Sequence, residues 1–164
     1  MSDQFRIQFY DIINHFTISD PILPAEIEEL QKYFSEKHKN AFESCISENV
    51  KTLIGCSGAF DTIADIIDQV NPGEKQRTTQ PITMDDFYCV YNKIIHSSRD
   101  ERLVMKGMDM VRVELIVPAV ILIEQLISNA HIEKIIQTDF ALREGILYEM
   151  MDKNILIQKN LSPE

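Results

Sequence analysis

Two glycines three positions apart, Gly55 and Gly58, separate an apolar run, Val50 to Ile54, from an amphipathic helix pattern, Asp61 to Gln69. A loop of this kind, Gly55-Cys56-Ser57-Gly58-Ala59, aims backbone N–H groups at an anion, and its glycines let the chain turn sharply and approach a phosphate closely. The same residues also suit a tight strand-to-helix turn with no ligand. Arg112 opens a second apolar run and offers a guanidinium, a two-pronged donor for phosphate; the competing role is an ion pair to Glu114 or Glu144. Arg143, Glu144 and Gly145 open a later helix pattern, where Glu144 favours the positive helix end and reads as a capping, core-anchoring residue.

The other polar side chains carry less chemistry. Asp61, Asp65 and Asp68 recur along one helix pattern, with Asp65 and Asp68 read as a solvated edge rather than a metal site. His15, His38, His96 and His131 show no ligand spacing, and Cys45, Cys56 and Cys89 match no zinc pattern. Cys56 has no histidine near it in sequence to activate it. No catalytic residue and no metal ligand is assigned.

The elements that must hold these groups alternate between strand and helix patterns. Phe5 to Phe9 and Lys51 to Ile54 read as strands, as does Lys134 to Ile136. Asp11 to Phe16 reads as a short helix. Pro24 and the glutamates after it start a helix that runs to about Ser47. Residues 71–82 read as an exposed polar loop. Thr83 and Asp86 form a variant capping box for a helix that buries Phe87, Val90, Tyr91, Ile94 and Ile95. A short helix falls within Ser97 to Lys106. Val111 to Ser128 is the central apolar helix, with a kink expected at Pro118. Ala141 to Met151 is the last helix, and Asn160 to Glu164 a frayed tail. The pattern is α/β, one domain over 1–164, with a small sheet and helices dominating.

With 164 residues, 45% hydrophobic and 26% charged, the chain can bury a core. Its net charge of −10 argues against binding nucleic acid through an overall field. The odd cysteine count suits a reducing compartment, and the N-terminus is no signal peptide. The most apolar stretch, Val113 to Ile123, is too short for a membrane span. The expectation is a cytoplasmic protein with neither nucleic-acid nor membrane partners.

Three segments in order carry a resemblance. Gly55-Cys56-Ser57-Gly58-Ala59-Phe60-Asp61-Thr62 resembles the G-S-S-G-T-F-D-T type loop of the exopolyphosphatase and guanosine-pentaphosphate phosphatase family, the counterpart of the adenosine motif in actin-like ATPases. Gly107-Met108-Asp109-Met110-Val111-Arg112-Val113-Glu114 is similar to its P-G-M-x-x-x-R-x-D/E segment, and Leu142-Arg143-Glu144-Gly145 to its L-R-E-G box. The likeness runs from about Phe5 to Met151. Cys56 stands at a serine-like position, and Ala59 replaces a threonine whose hydroxyl could donate to phosphate.

The resemblance implies an incomplete ribonuclease-H-like, actin-like ATPase half-domain, the C-terminal part of a core whose two halves face each other across a phosphate cleft. In the whole enzyme a carboxylate and a divalent cation, usually magnesium, activate water against a terminal phosphoryl group. The family's D-x-G-S-N-S and D-x-G-G-G-S loops and its catalytic glutamate have no counterpart here. The expectation is therefore a piece that supplies one cleft wall for polyphosphate or a phosphorylated guanosine nucleotide. Gly55, Cys56, Ser57, Gly58, Ala59 and Arg112 would bind phosphate, and Glu114, Arg143, Glu144 and Gly145 would shape the cleft. Alone it would be inactive, its partner the missing half or a second copy. The alternative is a truncated, non-catalytic paralogue that serves as a binding or oligomerisation module.

Overall fold

The computed structural model describes residues 16–56 and 58–161, with side chains described as far as Met151. The expected strand Phe5 to Phe9, most of the expected helix Asp11 to Phe16, residue Ser57 and the end of the tail lie outside the described residues. Among those described, seven helices surround a three-stranded sheet.

Helix α1, Pro24–Lys37, starts with Pro24 in its first turn, and Glu26 reaches back to accept from the Leu23 N–H at 2.7 Å. Its Leu30 and Phe34 are wholly buried. The long helix expected to Ser47 is instead two. The chain breaks at His38 (φ −112°, ψ 16°) and resumes as α2, Lys39–Ser47, so that Phe42 also reaches the core. The His38 ring lies between those of Phe34 and Phe42, and burial, helped by the Lys37 charge, holds its pKa below the ordinary imidazole value.

Strand β1, Thr52–Cys56, leads into α3, Ala59–Asp68. Strand β2, Thr79–Ile82, lies within the stretch that reads as an exposed loop, and its Pro81 marks it as an edge strand. Helix α4, Met84–Ile95, is capped by Thr83, whose hydroxyl accepts from the Asp86 N–H at 3.0 Å. Ser98 and Glu101 form a reciprocal capping box for the short α5, Arg99–Leu103. A 3₁₀ turn, Met110–Arg112, precedes α6, Ile116–Ala130. Pro118 therefore stands in the first turn of α6, where a helix needs no N–H donor, rather than at a mid-helix kink. Strand β3, Lys134–Thr138, and helix α7, Leu142–Leu161, complete the fold.

The sheet order is β1-β3-β2, with β1 parallel and β2 antiparallel to the central β3. Cys56 pairs with Thr138 and Thr138 with Thr79, so the C-terminal ends of β1 and β3 meet the start of β2 at one end of the sheet. Open α/β sheets bind ligands outside the carboxyl ends of their strands. Behind the sheet, α6 is the core: ten of its residues are buried, and α1, α2 and α4 all pack on it. No described helix is long and apolar enough to cross a membrane.

Candidate functional site

The residues with chemical potential gather at that end of the sheet. Gly55 has a packing role: a Cβ there would sit 2.0 Å from the Phe60 ring, which lies across the strand. Gly58 has a conformational one, with φ +68° and ψ −122° at the N-cap of α3, a region that side chains avoid. Helix geometry leaves the N–H groups of Ala59, Phe60 and Asp61 without intrahelical acceptors just beyond this turn. Cys56 is a free, exposed thiol at the end of β1.

Arg112 lies over the turn. Its Nη1 is 3.0 Å from where a Cβ on Gly58 would be, so any side chain there would push against the guanidinium. Two anchors hold it. Asp109 accepts from Arg112 Nε at 3.2 Å and from the Val111 N–H at 3.0 Å. Next door, the buried Arg102 donates to the Val113 carbonyl at 3.1 Å and to Asp20 at 3.0 Å, and also binds the Ser97 carbonyl. The sequence alternatives for Arg112, ion pairs to Glu114 or Glu144, are not formed: Glu114 pairs with Arg99 and Glu144 with Arg143. Among the described residues, nothing hydrogen-bonds the two terminal nitrogens of Arg112. Arg112 lines a cavity of about 280 Å³ whose walls also include Asp61, Asp65, Arg77, Asp109 and Asp139.

The floor of this region is a buried polar network. Gln137 of β3 is wholly buried, and its Nε2 donates to Asp61 at 3.0 Å and Asp139 at 2.7 Å. Arg77, just before β2, donates to Asp65 at 2.7 Å and Asp68 at 2.6 Å, and its Nε to Gln80 at 2.7 Å. The side chains of Arg77 and Asp65 are each only 4% exposed. Asp65 and Asp68 are thus the seat of a buried arginine, not a solvated edge. The periodicity of α3 offered no sign of it, because the partner comes from a different element.

Burial alone would raise the Asp68 carboxyl, but hydrogen bonds from Lys75, Arg77 and Gln80 hold it below its usual range. Glu26, Glu74, Glu101 and Glu144 are lowered too, each chiefly by the backbone N–H it caps. A carboxyl lowered in the fold contributes stability that is whole above its unfolded pKa of roughly 4 and is lost as pH falls through the folded value. The melting temperature should therefore hold between pH 7 and 5 and drop steeply below about 4. Calorimetric scans at stepped pH check this, and an unchanged melting temperature at pH 2.5 would contradict it.

The remaining sequence candidates sit apart from the turn. Glu114 is well exposed on the Arg99 ion pair. Glu144 accepts from the Ala141 N–H at 2.9 Å and so caps α7, with Arg143 folded onto it in the open. Gly145 faces empty space. Sequence reading missed Arg77, Asp139 and Gln137. The position of Gln137 directly after the apolar pair Ile135 and Ile136 was the available signal.

Known proteins sharpen the picture. The family model described as the Ppx/GppA phosphatase family matches residues 9–154. A crystal structure of an exopolyphosphatase from Cytophaga hutchinsonii superposes with a TM-score of 0.82 at 29% identity, covering 91% of this chain and 49% of that one. The Aquifex aeolicus member of the Ppx/GppA family superposes at 0.73 with 18% identity, covering 89% of this chain and 47% of that one. The chain thus spans about half the length of these structures, and its α/β arrangement is their actin-like fold. No curated protein sequence matches it. The extent of the family match and the shared fold together show that this chain belongs to the Ppx/GppA phosphatase family.

Proposed function

We propose that this chain is one half of a phosphohydrolase core and supplies a phosphate-binding wall to a cleft for polyphosphate or guanosine pentaphosphate. The observation that carries this is the placement of the Arg112 guanidinium directly over the Gly58 turn. Two terminal guanidinium nitrogens and the free N–H groups at the start of α3 converge there as donors for one phosphoryl group. The network of Gln137, Arg77 and Asp139 fixes the strand ends beneath, so the donors are held before a ligand arrives. Both family substrates present the same terminal phosphoryl chemistry to this wall.

The water-activating carboxylate is assigned to the half that this chain does not match. The family resemblance also implies magnesium. Among the described residues, no three His, Cys, Asp or Glu side chains converge where a cation would sit. The residues here do not fit the ion, and this half is assigned no metal ligand. The isolated chain should bind but not hydrolyse, and magnesium-dependent phosphate release by the pure protein would sink that reading.

Calorimetric titration with polyphosphate tests the wall itself. Removing a charge-assisted contact costs about 1.5–3 kcal/mol, so Arg112→Ala should weaken binding by roughly tenfold or more. The exposed Arg143→Ala should leave it unchanged. Equal affinity in wild type and Arg112→Ala, both folded by circular dichroism, would refute the assignment.

A further inference from the structure

An acid stands in the wall proposed for an anion. Asp109 lines the same cavity as Arg112, and its charge, taken alone, would repel a phosphoryl group. It does little for the stability of the fold. The side chains of Arg112 and Asp109 are 35% and 31% exposed and pair across i to i+3, a setting in which ion pairs contribute little.

The geometry of the pair sets it apart. Arg77, Arg102 and Arg143 each give a terminal nitrogen to a partner. Arg112 gives Asp109 only its Nε, at 3.2 Å. A carboxylate can hold a guanidinium through two parallel bonds, one to each oxygen. Here one oxygen is already engaged: Asp109 Oδ1 accepts from the Val111 N–H at 3.0 Å, while Oδ2 takes Nε. The two-pronged pair therefore does not form. The Arg112 N–H also donates to the Asp109 carbonyl at 2.9 Å, which closes the 3₁₀ turn Met110–Arg112 around the pair. Asp109 is thus fixed by its own cap and grips the arginine from the side, leaving Nη1 over the Gly58 turn.

We infer that Asp109 is a positioning residue for phosphate binding, one that acts through Arg112 rather than on the ligand. This rests on the reading of the Gly58 turn and Arg112 as a phosphate wall. An unanchored arginine samples many rotamers and loses that freedom on binding, whereas one already held loses little. Orientation outweighs repulsion here, so removing the acid's charge weakens the binding of an anion. Electrostatics alone would give the opposite sign.

Calorimetric titration of the full chain with polyphosphate reads that sign. Asp109→Asn keeps an oxygen for the Val111 N–H but turns an amide nitrogen toward Nε, donor against donor, so the cap stays and the grip is lost. Its melting temperature should match the wild type, and its dissociation constant should rise by roughly threefold or more. Asp109→Ser, which keeps a capping oxygen and offers Nε no carboxylate, should weaken binding likewise. In an Arg112→Ala background Asp109→Asn should cause no loss, because the residue it acts through is gone. If Asp109→Asn binds as tightly as the wild type, or more tightly, the inference is overturned and the acid is a charge without a positioning role. Equal losses in both backgrounds overturn it too, since Asp109 would then act through the fold of the turn. A wild type that Arg112→Ala does not weaken removes the phosphate wall itself, and the role of Asp109 with it. The wall is thus tested by Arg112→Ala, and the positioning role separately by Asp109→Asn.

Discussion

Replacing Gly107 with alanine should cost the fold about 2–5 kcal/mol, from two additive causes. Gly107 has φ +90°, where an L-residue pays about 1–2 kcal/mol. Its Cβ would also lie 2.4 Å from the Ile66 nitrogen and 2.6 Å from the Asp65 carbonyl oxygen. Both atoms are backbone at the end of α3, so no side chain can swing aside, and overpacking of this sort adds about 1–3 kcal/mol. Gly73→Ala separates the two causes. Gly73 has φ +73° with nothing within 4 Å, so only the conformational cost applies. Urea denaturation of both variants gives the comparison, and equal losses would remove the case for a tight seat on α3. The same seat places the segment that carries Arg112, so Gly107→Ala should weaken polyphosphate binding even where the protein remains folded.

The second large effect is expected at Arg77. Arg77→Met removes the partner of Asp65, a carboxylate with only 4% of its side chain exposed, and one partner of Asp68. Breaking a buried ion pair from one side costs about 3–5 kcal/mol, because the remaining charge stays buried without compensation. Removing both charges is far cheaper, so Arg77→Met/Asp65→Leu should recover much of the loss. Arg77 also donates its backbone N–H to Asp139 at 2.7 Å, which the substitution leaves in place. Chemical denaturation of the two variants decides the matter. A single variant within 1 kcal/mol of wild type would show that the arginine is not needed to neutralise that carboxylate.

The parts of this fold that could be read from sequence are those whose signals are local. The apolar run before the glycines and the α3 periodicity form a strand and a helix as expected, although the strand, Thr52–Cys56, runs two residues further and takes in Gly55 and Cys56, which were expected in the loop, because their backbone pairs with β3. Thr83 and Pro24 begin helices as their residue types require. What escaped depends on partners distant in sequence. Strand β2 reads Thr-Gln-Pro-Ile, with a proline and two polar residues, and is a strand because β3 lies beside it. Asp65 and Arg77 look exposed because each is charged, and each is buried because the other is there. The apolar run beginning at Val111 conceals where α6 starts: it covers both the 3₁₀ turn and the helix. For the site, Gly58 and Arg112 were both visible as candidates, but 54 positions separate them, and only the folded chain sets one above the other.

The central position of β3 has a consequence for how the chain acquires its structure. Thr52 pairs with Lys134 and Ile82 with Ile135, so both outer strands are made long before the strand that joins them. A chain still being synthesised can wind its early helices, but β1 and β2 share no ladder until β3 arrives. Pairings so distant in sequence carry a large closure entropy and slow folding. Until then the backbone groups at the ends of β1 and β2 are held by no neighbour, and the Gly58 turn has no floor beneath it. The end of the sheet that carries the Gly58 turn is therefore among the last parts to take shape, and a nascent chain cut short before Lys134 contains every residue of the turn without its geometry.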